Sequence, residues 1–166
     1  MTIYLVIPLL VAVALLQTTV MPHLAIRGVF PDLALLVVVS WSLLCGTREG
    51  AIWGFIAGLA VDLFSGAPFG AATVSLMAAS FLSGLGEVTV VRARFVLPSI
   101  VMFAATIIYD LLFLFIVWIS GQPVAWLDSL TDIILPTAVL NAVLTPVVFI
   151  ALRRLHTFFS RAEMEW

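Results

Sequence analysis

The stretch that decides the fold is GAIWGFIAGLAVDLFSGAPFG, Gly50 to Gly70. It is apolar enough to sit in a bilayer, yet Gly50, Gly54 and Gly58 recur every four residues and Asp62 occupies the next step. Four residues is close to one helical turn, so all four positions share a face. In lipid no hydrophobic force pulls helices together. Association relies on close backbone approach, which small residues permit. The glycine face is therefore a helix-packing surface, turned toward another helix of this chain or toward a partner. Asp62 lies about 18 Å from Gly50 along the helix, at about 1.5 Å per residue. Two places suit it. One is the outer headgroup zone, accepting hydrogen bonds from backbone N–H groups of the Ser65–Gly70 turn. The other is a buried polar tie between helices.

The rest of the chain fits a lipid solvent. Of its 166 residues 64% are hydrophobic and only 10% charged, with a mean hydropathy of +1.27. A soluble domain is about half apolar and about a quarter charged. Six apolar segments fall near residues 2–21, 30–45, 49–64, 70–87, 95–119 and 130–152. A span needs about 20 apolar residues. The first run is long enough to be retained as a span, and no basic region precedes it as in a signal peptide. The second and third are short and separated only by Gly46, Thr47 and Arg48. They read as a tight hairpin whose helices reach into the interface or are shielded by neighbours.

The expected fold is an all-α polytopic membrane protein with six transmembrane helices in residues 1–152, followed by a short basic tail, 153–166. Six spans place both termini on one side. That side carries Arg48, Arg92, Arg94, Arg153, Arg154 and Arg161, and the other only Arg27. The positive-inside rule then puts both termini in the cytoplasm. Arg153, Arg154 and Arg161 suit a membrane surface, where each basic group adds about 1 kcal/mol on anionic lipid. Trp118 and Trp126 read as anchors at the outer end of segment five, and Trp53 as one at the inner end of segment three.

Intramembrane polar residues are the other candidates for function. Asp110 lies about 22 Å along segment five, among Ile107, Ile108, Leu111 and Leu112. A carboxylate at mid-bilayer costs about 2.5–3.5 kcal/mol on insertion scales. No arginine or histidine lies at its depth. It is therefore protonated, hydrogen-bonded to neutral groups, facing water, or met by another protein. In segment six Thr137, Asn141 and Thr145 step by four, bracketed by Pro136 and Pro146. Each proline frees a carbonyl four residues earlier. This stripe is expected to face the bundle interior and meet the Asp110 or Asp62 face.

Catalysis finds little footing. Two aspartates on separate helices suggest an intramembrane aspartyl protease, but only Tyr109–Asp110 matches such a motif, and Asp62 has no counterpart. There is no Gly-x-Ser-x-Gly elbow, and His23 and His156 are far apart on loops or tails. Cys45, the lone cysteine, reads as a small packed residue. No catalytic residue, cofactor or metal site is expected, and no basic stripe suggests nucleic acid.

In order and spacing the chain resembles the MreD family of rod shape-determining membrane proteins. The run LLQTTVMPHLAIRGVFPDLALLVVV, the turn GTREG and the stretch GFIAGLAVDLFSGAPFG carry the likeness, over about residues 15–70. The matching positions are Gln17, Pro31, Asp32, Gly50, Gly54, Gly58, Asp62, Gly66 and Gly70. The resemblance implies a non-enzymatic adaptor of the bacterial inner membrane, in the machinery of cell elongation and peptidoglycan synthesis. It implies docking to the single transmembrane helix of MreC. Through MreC it implies indirect links to RodA with its class B penicillin-binding protein, and to MreB. Self-association is a further arrangement open to the chain. The family fold is similar to the six-helix S-components of energy-coupling-factor transporters. A vitamin-binding S-component is accordingly the alternative, although the outer loops are short and poor in ligand-binding groups. Segment three, with its glycine face, is the leading candidate for the MreC groove.

Overall fold

The computed structural model describes residues 2–86 and 96–163, with side chains from 7 to 158 within those ranges. Arg92 and Arg94 lie outside the described residues, and so does the Arg161 side chain. The regular structure of the described residues is helical, apart from a lone backbone bridge between Ile26 and Val29. In chain order the helices are α1 (Thr2–Thr19), α2 (Met21–Leu24), α3 (Leu33–Cys45), α4 (Thr47–Ser65), α5 (Ala71–Gly84), α6 (Val96–Ile119), α7 (Trp126–Ser129) and α8 (Leu135–Glu163). Helices α1, α3, α4, α5, α6 and α8 coincide with the six apolar segments. By length and composition two helical stretches, Val96–Ile119 and Trp126–Phe158, are able to cross a membrane.

Helix α3 is the hub. It touches α1, α4, α5, α6 and α8, and nine of its 13 residues are buried. Its sequence LALLVVVSWSLLC is apolar all round, as a helix enclosed by others must be. At about 1.5 Å per residue it extends about 20 Å, short of the about 30 Å of a hydrocarbon core. The neighbours thus shield it, the second of the two explanations for a short segment.

The hairpin between α3 and α4 is tighter than expected. Gly46 alone separates the helices, at φ 92°, a backbone region that glycine enters without steric cost. Its N–H donates to the Ser42 carbonyl at 2.8 Å, and its own carbonyl accepts from Gly50 N–H at 3.0 Å. One residue therefore ends one helix and starts the next. Helix α4 runs 19 residues, longer than the segment 49–64 expected for it.

The last helical stretch also departs from expectation. A π-helical turn, Leu130–Ile134, joins α7 to α8, so the helix begins before segment six. Pro136 has no N–H for the Asp132 carbonyl, and the wider turn absorbs that misfit just upstream, with Leu135 N–H bonded to the Leu130 carbonyl. Pro146 lies inside α8 without ending it. The helix continues past residue 152 to Glu163, so the backbone shows no break where the basic tail was placed.

Candidate functional site

Helices α4 and α5 form the most extensive contact in the bundle, and the glycine face is its seam. A Cβ on Gly58 would collide with the Thr73 Cα and lie 2.9 Å from the Ala72 carbonyl oxygen. One on Gly54 would collide with Ser80 Oγ and lie 2.9 Å from the Met77 Cα. One on Gly50 would strike Ser42 of α3. Of the two readings of this face, its contacts are with helices of this chain: α3 and α5 fill it. The complementary surface on α5 was missed, although Ala72, Leu76, Ser80 and Ser83 recur at helical spacing. All four are buried. The Ser42 hydroxyl also donates to the Ser80 carbonyl, tying α3 to α5.

Asp62 closes the seam at its other end. It is 5% exposed. It accepts from Gly70 N–H at 3.0 Å, from Ala72 and Thr73 N–H at 2.9 Å each, and from the Thr73 hydroxyl. The first turn of α5 starts at Gly70, which has no capping side chain of its own. Its orphan N–H groups are satisfied by a carboxylate from the preceding helix. Asp62 thus makes the contacts of both readings. It binds the turn, and it is a buried tie between helices.

A second polar cluster joins α1, α3, α6 and α8. Asp32 is the N-cap of α3, its Oδ1 accepting from Leu35 N–H at 2.9 Å. Gln17 of α1 accepts from Ala34 N–H at 2.7 Å. Asn141 of α8, fully buried, accepts from Asp32 N–H at 3.1 Å and donates to the Thr106 hydroxyl at 3.2 Å. Thr106 donates in turn to the Met102 carbonyl at 2.8 Å, and Thr145 to the Asn141 carbonyl at 2.7 Å. Thr137 is buried on the same stripe. The stripe faces inward, and Asn141 meets the face of α6 that carries Asp110, though not the carboxyl itself. Its partners are Thr106, one turn before Asp110, and the start of α3. Sequence spacing could not supply that pairing, which crosses 109 residues.

Asp110 stands apart. Its Oδ2 is buried and has no hydrogen-bond partner. It lines a cavity of about 330 Å3 with Gln17, Thr18, Asp32, Tyr109 and Phe113. Among the described residues no three His, Cys, Asp or Glu side chains converge as a metal-holding group.

The aromatic anchors are partly reassigned. Trp53, expected at an interface, is 6% exposed. It stacks on Trp41 at 4.3 Å between ring centroids. Trp41 donates to Glu49 at 3.3 Å and meets His156 edge-on at 5.6 Å. His156, expected on a tail, is therefore a packed residue of α8. Trp118 and Trp126 pack edge to face at 6.4 Å. Arg153 and Arg154 are exposed on α8.

These features define an all-helical bundle whose interior polar groups join helices, with two helical stretches able to cross a membrane. A model of the family described as rod shape-determining protein MreD matches residues 1–158. The chain belongs to that family, and it is accordingly a membrane protein of rod-shape determination. Neither the curated proteins nor the solved structures give a match. The family is one of shape determination and not a known enzyme family.

Proposed function

We propose that this chain is a non-enzymatic adaptor of the elongation machinery, spanning the inner membrane six times with both termini in the cytoplasm. It docks the transmembrane helix of MreC, and through MreC it connects with RodA, its class B penicillin-binding protein and MreB. The family match supports this over a vitamin-binding S-component. The arginine asymmetry of the sequence supports the orientation.

The observation that carries the docking reading is the uneven cover of the long helices. Only 22% of the most apolar window of α6, and 33% of that in the α7–α8 stretch, is buried within the chain. Between α6 and α8 lies an open apolar groove of about 500 Å3, lined by Val96, Ser99, Ile100, Phe103, Ala142 and Pro146. The small side chains of Ser99 and Ala142 in this groove let a second helix approach closely. With the α4 glycine face filled, this groove replaces it as the seat for MreC. The test is affinity purification of the full chain with MreC from membranes. Ala142→Trp should fill the groove and abolish co-purification while the protein still accumulates. Undiminished recovery of MreC would refute the groove.

A further inference from the structure

We propose that the cavity between α1, α3, α4 and α6 is a binding site for an organic ammonium group carried on an apolar body. The proposal is independent of the docking of MreC. It starts from an unmet acceptor. Asp110 Oδ2 is buried without a partner, and a buried polar atom left unpaired is destabilising. The cavity beside it, about 330 Å3, lies at the small end of the range for ligand sites, about 300–1,000 Å3.

The lining selects the ligand by its hydrogen-bond acceptors. Asp32 and Asp110 supply carboxyl oxygens, and no arginine, lysine or histidine lines the cavity. One Asp32 oxygen is engaged by Leu35 N–H. An anion finds no positive counterpart here, whereas an ammonium brings up to three donors to this acceptor-rich wall. The wall also carries the aromatic rings of Phe30, Phe64 and Phe113, and ring faces attract cations. A bare metal ion fits less well. Calcium takes about six to eight oxygen ligands, and no metal-type cluster occurs among the described residues.

Depth selects the carrier. The cavity reaches helix ends: Thr18 at the end of α1, Pro22 in the short α2 that follows it, and Ser65 at the end of α4. Helix ends of a membrane bundle lie near the headgroups, so the site suits an amphiphile with its ammonium inside and its chains alongside. A lipid headgroup and a free amine share this chemistry.

The experiment uses the full chain in nanodiscs of phosphatidylglycerol, with and without phosphatidylethanolamine, read by native mass spectrometry. The wild type should retain phosphatidylethanolamine over phosphatidylglycerol by about tenfold or more. Asp110→Asn should lose that preference, whereas Asp128→Asn, at an exposed position, should keep it. Thr18→Trp, which fills the cavity from the end of α1, is the second variant and should also lose it. Saturable binding of free ethanolamine to protein in phosphatidylglycerol alone, sensitive to Asp110→Asn, would assign the site to a soluble amine. Retention of the lipid without ethanolamine binding would assign it to a headgroup. Equal retention of the two lipids together with no ethanolamine binding overturns the proposal, as does a preference that neither Asp110→Asn nor Thr18→Trp alters.

Discussion

The α4–α5 seam and the α6–α8 pair face one problem, how to join helices where water gives no drive, and they meet it in different ways. In the seam Gly54 and Gly58 bring backbones together until no Cβ fits, and Asp62 binds four donors at the end. Between α6 and α8 the polar tie is the hydrogen bond from Asn141 to Thr106 at 3.2 Å, set among small buried residues such as Ala105 and Ala138. The outer face of α8 stays bare, with Val139, Val143 and Val147 54–68% exposed. The seam is a closed structure with no room for a partner. The long helices keep surface free for lipid or another chain. The face that holds the bundle together is thus separate from the face left uncovered.

That contrast can be broken most severely at Gly58. Gly58→Leu should prevent α4 and α5 from closing, because the clash is with the Thr73 backbone and not a movable side-chain tip. Overpacking costs about 1–3 kcal/mol and occasionally more, so the variant should fail to accumulate in membranes or lose its thermal transition in detergent. Normal stability would mean that the seam is not closed. Asp62→Ala should cost somewhat less, about 2 kcal/mol, through loss of the cap on α5 and exposure of its unpaired donors. Its unfolding temperature should fall, and an unchanged value would remove Asp62 from the seam. Val143→Ala should cost the least, within about 0.5 kcal/mol as at other uncovered positions. A large destabilisation there, measured without any partner, would show that the α8 face is covered within the chain.

Much of this arrangement was readable in advance because it depends on local pattern. Apolar run lengths located the six major helices, and the four-residue step of Gly50, Gly54, Gly58 and Asp62 identified a packing face. The inward stripe of Thr137, Asn141 and Thr145 was legible for the same reason: periodicity reports which residues share a side. Partners were not legible. Asn141 reaches the Asp110 face at Thr106, and its bond to the Asp32 backbone N–H has no local signal. Trp53 resembles an interfacial anchor by position, yet the stack on Trp41 draws it inside. The helix through Pro136 defied the local rule because a π-helical turn absorbs the missing donor.

By itself the sequence determined the solvent, the number and order of the main helices, and the faces on which small and polar residues gather. Those follow from hydropathy and helical period, which are properties of neighbours along the chain. Only the tertiary structure decided what each face meets: α5 against the glycines, Asp32 against Asn141, and a cavity beside Asp110. Those choices depend on the register between helices far apart in sequence, where a shift of one residue exchanges one partner for another.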